Sequence, residues 1–255
     1  MQIGQTSNVA IVMPVYKPIP DTMEQLSFLQ AITILHKRAF YFVTYEGFDL
    51  SWYKPYLDEK NINFEIICFD KDFFTSLRGY NKLMLSEKFY AGFSKFDYIL
   101  IYQLDAFVFE DKLDWWCSQK YDYIGAPWFE HHLSHEDGAK LWAVGNGGLS
   151  LRKVNTFIRL FEKNPYVHSI WRHFEKRERF LDWVAKNEDA EDIFYCLKLR
   201  GTKLELYIPS PIEAAEFSFE LSPSYLYSLL HKLPMGTHGF TRYEPEFWQK
   251  YIKFQ

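Results

Sequence analysis

One aspartate, Asp105, lies between two apolar runs in the sequence FDYILIYQLDAFVF, residues 96–109. The first run, rich in Tyr and Ile, predicts a strand buried on both faces, as in the middle of a parallel sheet. A carboxylate at the end of such a strand is costly to bury unless it is paired, hydrogen-bonded or bound to a cation. Because open α/β sheets bind ligands beyond the carboxyl ends of their strands, Asp105 is a candidate ligand of a divalent cation. A carboxylate that caps a turn is an equally good interpretation of this residue alone.

Two glycine-containing segments are further candidates for a ligand site. Gly147 and Gly148 lie in the sequence GNGGLSLR, residues 145–152. Closely spaced glycines let a backbone approach a ligand, although an ordinary turn before a strand explains them as well. His238 ends the sequence MGTH, residues 235–238. An imidazole on such a loop would complete a metal shell, whereas single histidines are more often structural.

Four carboxylates crowd the sequence NEDAED, residues 187–192, at the start of a predicted helix. Acidic residues stabilise the first turn of a helix, so a solvated capping cluster is one interpretation. A general base that removes a proton from an acceptor hydroxyl is the other. Crowding raises the pKa of some of these carboxylates, which suits a base.

An alternation of strands and helices must position these candidates. Asp21 followed by Glu24 predicts a capping box at the start of the first helix. Apolar strands are predicted at residues 9–15, 40–44 and 64–69. This order is typical of a doubly wound α/β fold, with a mostly parallel central sheet flanked by helices. Later helices are predicted at residues 154–162, 167–186 and 191–199, and a loop at the polar residues 130–140.

The composition indicates a folded globular protein. Of the 255 residues, 48% are hydrophobic and 20% are aromatic, which excludes a disordered chain. The formal net charge of -4 gives no support for electrostatic binding to nucleic acid. Three widely spaced cysteines indicate reduced thiols. With no signal segment and no run of about 18 apolar residues, we expect a single cytoplasmic domain without a transmembrane segment.

Five motifs resemble, in order, those of GT-A-fold glycosyltransferase-like proteins from bacterial polysaccharide loci. In this chain they are GYNKLMLSEKFY (79–90), YILIYQLDAFVF (98–109), DYIGAPW (122–128), GNGGLSLRK (145–153) and EDIFY (191–195). The chain is more distantly similar to the β-1,4-galactosyltransferases. The resemblance implies a GT-A-like fold in one domain, residues 1–255. About residues 1–110 would bind the nucleotide, and about residues 111–255 would bind the acceptor and complete the metal site.

The same resemblance implies a metal-dependent, inverting glycosyltransferase of surface polysaccharide biosynthesis. The donor would be a nucleotide sugar, with a UDP-sugar favoured, and the acceptor a saccharide or a lipid-linked saccharide. Mn²⁺ is favoured over Mg²⁺. Gln103 replaces the first aspartate of the family's metal motif. The implied metal ligands are Asp105, His238 and Met235, and the implied base is Asp192, Glu191 or Asp189, with Asp192 preferred.

Contacts to the nucleotide sugar are expected at strand ends and in the loops beside them. For the base and ribose we expect Tyr16, Glu46 and Asp70, and for the diphosphate Arg78, Asn81 and the Gln103–Asp105 turn. An aromatic face packs well on a sugar ring. The sugar pocket is therefore expected at Trp128, Gly147 and Gly148.

Two other functions stay open from the sequence. A sugar nucleotidyltransferase would share the fold and the metal requirement, but MPVYKPIPD offers no glycine- and lysine-rich phosphate loop after the first strand. A non-catalytic protein that binds sugars or nucleotides would explain both the aromatic content and Gln103. The aromatic residues 247–254 are expected to pack on the core, and peripheral contact with the inner face of the membrane stays open.

Overall fold

A six-stranded, mostly parallel sheet lies at the centre of the fold. The computed structural model describes residues 7–130, 140–162 and 191–254. The strands are β1 (Val9–Pro14), β2 (Ala39–Tyr45), β3 (Phe64–Phe69), β4 (Tyr98–Tyr102), β6 (Tyr123–Ile124) and β9 (Leu149–Lys153). They lie in the order β3–β2–β1–β4–β9–β6, with β1 to β4 parallel and β9 antiparallel to β4. The prediction of a doubly wound, mostly parallel sheet is therefore confirmed.

The burial of each strand follows from its place in the sheet. Every residue of β1 and β4 is buried, as expected of central parallel strands covered on both faces. The apolar strand β3 lies at the edge, and its residues Glu65, Ile66 and Cys68 are exposed. Position in the sheet, which the apolar sequence does not reveal, sets the burial of β3.

Helices flank the sheet on both faces. Asp21 caps the first of them with the predicted capping box, because its side chain accepts hydrogen bonds from the backbone of Met23 and Glu24. The helices are α1 (Thr22–Ile34), α2 (Lys54–Glu59), α3 (Leu77–Met84), α4 (Glu87–Ala91), α5 (Leu113–Ser118), α6 (Val154–Glu162), α7 (Glu191–Ile193), α8 (Pro211–Phe217), α9 (Pro223–Leu230) and α10 (Pro245–Trp248), with a 3-10 turn at Lys71–Phe74.

The chain leaves the central sheet at Asp105 and enters a smaller one. After the turn 103–105, β5 (Ala106–Val108) pairs antiparallel with β11 (Gly236–His238), which pairs parallel with β10 (Ser218–Phe219). In this register His238 lies opposite Ala106. The pairing therefore brings the end of β11 beside Asp105. A separate two-stranded sheet joins β7 (Pro127–Phe129) to β8 (Leu141–Val144).

The helix predicted at residues 191–199 is present in a different form. Only Glu191–Ile193 is α-helical, and Phe194–Lys198 continues as a π-helix. The predicted helix at 167–186, most of the predicted loop at 130–140 and the acidic residue Asp189 lie outside the described residues. In the described part of the chain, the helices are too short or too polar to span a membrane.

The aromatic tail packs on the core, as expected. Trp248 is fully buried and Phe247 nearly so, in a cluster with Phe219 and Phe240. Tyr251 remains 37% exposed.

Candidate functional site

A cleft opens at the carboxyl ends of the central strands. It has a volume of about 360 Å³ and is lined by residues 14–17 after β1, 73–77 before and at the start of α3, and 103–105 after β4. Tyr53 and Tyr80 complete its aromatic wall. Loops at this edge of a doubly wound sheet are where such folds bind ligands.

His238 and Asp105 meet at one corner of the cleft. The His238 Nε2 lies 3.0 Å from the Asp105 Oδ1 and 3.2 Å from the Gln103 Oε1. On the other side of the ring, Nδ1 lies 3.1 Å from the Glu220 Oε1. Burial lowers the pKa of His238, but the nearby carboxylates of Asp105 and Glu220 outweigh burial and raise the pKa to about 10. The imidazole is thus held between two carboxylates, with its Nε2 facing the cleft residues.

This corner fits a divalent cation. Octahedral coordination at about 2.1 Å separates neighbouring ligand atoms by about 3.0 Å, close to the spacings around Nε2. A carboxylate that accepts a hydrogen bond from the second ring nitrogen, as Glu220 is placed to do, orients a metal-binding histidine. Gly148 leaves the space open, since a Cβ there would lie 2.0 Å from Nε2.

The set of ligand side chains is small. Within the described parts of the chain, no group of three or more His, Cys, Asp or Glu side chains is arranged to hold a metal ion. The corner supplies Asp105, His238 and the amide oxygen of Gln103. Met235, the third predicted ligand, is fully buried in the core cluster that includes Val108 and Phe217.

Two predicted acidic residues, Glu191 and Asp192, lie beside Gly147 of the glycine loop 145–148, and they have different surroundings. The Glu191 Oε1 lies 2.6 Å from a guanidinium nitrogen of Arg152, in an ion pair whose side chains are 2% and 0% exposed. Asp192 accepts hydrogen bonds from the backbone N–H groups of Gly147 (2.9 Å) and Ile193 (2.8 Å). Glu191 is thus committed to a cation, whereas Asp192 is held by the backbone.

Asp192 has the perturbed pKa that a proton-transfer group needs. Burial, followed by the charge of Glu191, raises the pKa of Asp192 to about 7, although its hydrogen bond from Ile193 lowers it. A general base works best when its pKa is near the working pH. Of Glu191 and Asp192, the arrangement therefore favours Asp192.

The loop 145–148 connects the acidic pair to the metal corner. A Cβ at Gly147 would lie 2.3 Å from the Glu191 Oε1, just as one at Gly148 would meet His238. The carbonyl oxygen of Gly148 also accepts a hydrogen bond from the Gln103 N–H, at 2.9 Å. Both positions therefore require glycine because of close approach, and these two adjacent residues each contact one half of the site.

The other predicted contacts lie at varied distances from the cleft. Tyr16, 56% exposed, lines it together with Gln103 and Asp105. Glu46 and Asp70 are exposed at the ends of β2 and β3, at the same edge of the sheet. Arg78 is exposed and Asn81 is partly buried on α3, while Trp128 is 6% exposed in the core and contacts the glycine loop at Gly145. Among the described residues, those that line the cleft do not include Glu46, Asp70, Arg78, Asn81 or Trp128.

Sequence reasoning missed four side chains of this region. They are Glu220, which orients His238, Arg152, which pairs with Glu191, Tyr80, which lines the cleft, and Arg242, whose charge lowers the pKa of Asp105. Arg152 and Tyr80 lie within recognised motifs, and a cation next to the apolar residues Leu149 and Leu151 of an alternating strand was an available signal for Arg152. Glu220 and Arg242 lie in the tail, where the sequence shows no pattern.

Solved structures of glycosyltransferases share this fold. The apo form of the glycosyltransferase GlyE of Streptococcus pneumoniae TIGR4 has a TM-score of 0.55 and 13% identity, over 98% of this chain and 61% of that one. Galactosyltransferase LgtC, in complex with donor and acceptor sugar analogs, has a TM-score of 0.54 and 14% identity, over 94% of each chain. Mouse xyloside xylosyltransferase 1 has a TM-score of 0.53 and 11% identity, over 91% of this chain and 97% of that one.

These likenesses show the fold alone, and it is the GT-A type. The chain spans less than two-thirds of the length of GlyE. No curated protein matches the sequence. The family described as "Protein of unknown function (DUF5672)" matches residues 63–238, which is more than half of the chain. The chain therefore belongs to the DUF5672 family.

Proposed function

We propose that this protein is a metal-dependent, inverting glycosyltransferase that moves a sugar from a nucleotide sugar, preferentially a UDP-sugar, to a saccharide acceptor. The observation that carries the proposal is the arrangement at the cleft. Asp105, Gln103 and His238 converge beside Gly148, and the N–H of the neighbouring residue Gly147 donates to Asp192. A cation site offsets the charge of a leaving diphosphate, and a carboxylate with a pKa near neutrality suits a general base.

Asp105, His238 and the Gln103 amide oxygen would hold the metal ion. When bound, a divalent cation at this corner offsets the negative charge of the departing diphosphate. Arg242 lies close enough to lower the pKa of Asp105, and it would add positive charge on the same side. Tyr16, Phe73 and Phe74 would contact the nucleoside, since they supply aromatic side chains to the cleft wall.

The transfer would be a single displacement. Asp192 accepts the proton of an acceptor hydroxyl as its oxygen forms a bond to the anomeric carbon of the donor sugar. The bond from that carbon to the diphosphate breaks, and the configuration at the carbon inverts. The backbone N–H groups of Gly147 and Ile193 fix the Asp192 carboxylate for this step, and such positioning provides much of the rate enhancement.

Binding of a nucleotide sugar tests the proposal. We expect a UDP-sugar with Mn²⁺ to raise the melting temperature by about 5 to 10 °C at a concentration of about 100 times its dissociation constant, because a ligand that binds only the folded state stabilises it by mass action. Chelation of the metal should abolish this shift. Asp105→Asn should abolish it too, since it removes the one carboxylate that faces the His238 Nε2 across the cleft corner.

The matched control is Asp58→Asn, at an exposed position on α2, which should bind as the wild type does. If no nucleotide sugar stabilises the protein in the presence of Mn²⁺, the proposal fails. Stabilisation without any transfer or hydrolysis of the donor would support a non-catalytic binding protein instead.

A further inference from the structure

Arg152 is a fully buried cation that the proposed transfer does not use directly. Its guanidinium contacts the Tyr90 hydroxyl at 2.8 Å, the Ser150 hydroxyl at 3.0 Å and the Glu191 Oε1 at 2.6 Å. It also lies over the ring of Tyr123, 5.2 Å from the centroid. This cation is fixed from several sides at once.

The stability of the fold does not explain this pair. A buried ion pair loses the hydration of two charges, and well-packed apolar side chains of the same volume often stabilise a protein as well or better. In addition, the Glu191 Oε2 is buried with no hydrogen-bond partner among the described residues. A carboxylate that is costly to bury and only half satisfied calls for an explanation other than fold stability.

The pair is in direct contact with the part of the loop that holds Asp192. A second guanidinium contact reaches the Gly147 carbonyl oxygen at 3.5 Å. The N–H of Gly147 donates to the Asp192 Oδ2. Glu191 precedes Asp192 in α7, and its Oε1 would touch any Cβ placed on Gly147. Displacement of Glu191 would therefore move both the loop and Asp192.

We propose that Arg152 is a positioning residue, which clamps Glu191 against Gly147 and so holds Asp192 in place for proton exchange. The inference rests on the proposed function, because the exchange matters only if Asp192 is the base. It divides the acidic pair into two roles. Glu191 pairs with the buried cation, and Asp192 exchanges the proton.

Several charged or titratable groups face Asp192. Glu191 and Cys196 come from its own helical segment, Arg152 from β9, Tyr123 from β6 and Glu220 from the segment after β10. Glu191 and Glu220 raise the pKa of Asp192, and Arg152 lowers it. Removal of either member of the ion pair should therefore change the titration of Asp192, in opposite directions.

The Gly147 amide allows this titration to be followed without a substrate. In ¹⁵N–¹H spectra of the whole protein, we expect the Gly147 resonance to move with a midpoint near pH 7, because its N–H donates to Asp192. Glu191→Gln should lower this midpoint by about one pH unit. Arg152→Met should raise it, because the charge of Arg152 lowers the pKa of Asp192.

Lys153→Met, at the next and partly exposed position of β9, is the control and should leave the midpoint unchanged. Midpoints in both test variants within about 0.2 pH units of the wild type would overturn the inference. If Arg152→Met does not fold, Glu191→Gln alone decides by the same criterion. These spectra need no nucleotide sugar, so a protein that binds no donor but shows the shifts would refute the proposed function and leave the clamp standing.

Discussion

Asp192→Asn is expected to lower kcat for sugar transfer by about 10² to 10⁴-fold, the range typical of the loss of a general base. The amide has nearly the shape of the carboxylate but cannot accept the proton. It also keeps one acceptor oxygen for the N–H groups of Gly147 and Ile193, which now donate to the two carboxylate oxygens. The substrate-binding residues at Asp105 and His238 are untouched, so KM for the donor should change little.

The pH dependence of stability separates this effect from unfolding. The pKa of Asp192 is raised from 3.8 to about 7 in the folded protein. The folded state therefore holds this proton more tightly than the unfolded state. The stability that the protonated Asp192 contributes is fully present below about pH 4 and is lost as the pH rises to about 7. Asp192→Asn should remove this slope from the free energy of unfolding, measured with urea at pH values from 4 to 8.

Asp58→Asn on α2 is the control, and it should keep both the activity and the slope. A turnover number of Asp192→Asn within about threefold of the wild type would exclude Asp192 as the base. Retained turnover together with a lost slope would show that the group titrates as expected but does not transfer the proton.

The sequence predicts the fold well because the central strands carry their own burial pattern. The continuous apolar residues of β1 and β4 predict central parallel strands, and both strands are fully buried. The proximity of Asp105 and His238 is a different matter. It depends on the antiparallel register of β5 and β11, which brings together residues 133 positions apart in the sequence. No local pattern predicts this register, and only the resemblance to glycosyltransferases implied that the two residues are close.

The different surroundings of Glu191 and Asp192 could not be predicted from the sequence. The sequence shows adjacent carboxylates and cannot show which of them meets a buried cation. Arg152 lies 39 residues before Glu191, and only the packing of β9 against α7 brings the two together. The orientation of His238 by Glu220 has the same origin, since it depends on the pairing of β10 with β11.

Gly148→Ala should weaken metal-dependent binding of the nucleotide sugar although it adds a single methyl group. The new Cβ would lie 2.0 Å from the His238 Nε2, well inside van der Waals contact. The backbone of Gly148 has no positive φ, so alanine is compatible with its conformation and the clash is the main effect. Overpacking of this kind costs about 1 to 3 kcal/mol, so the protein should fold with a displaced imidazole.

The loop cannot relieve the clash without breaking other contacts. The N–H of Gly148 donates to the Asn146 Oδ1 at 3.0 Å, and its carbonyl oxygen accepts from Gln103. Movement of the ring is the cheaper response, and it takes Nε2 away from Asp105. Disturbing the orientation of a metal ligand typically lowers metal affinity by about 10 to 100-fold, measured here by calorimetry with Mn²⁺.

A double-mutant cycle shows whether the methyl group acts through the imidazole. If it does, His238→Ala and Gly148→Ala should lower Mn²⁺ affinity together by no more than His238→Ala does alone. Gly92→Ala is the control for an added methyl group, since its Cβ would lie no closer than 3.3 Å to its neighbours at the end of α4. Additive losses in the double mutant would mean that Gly148 affects the site by another route, and unchanged affinity in Gly148→Ala would remove His238 from the metal site altogether.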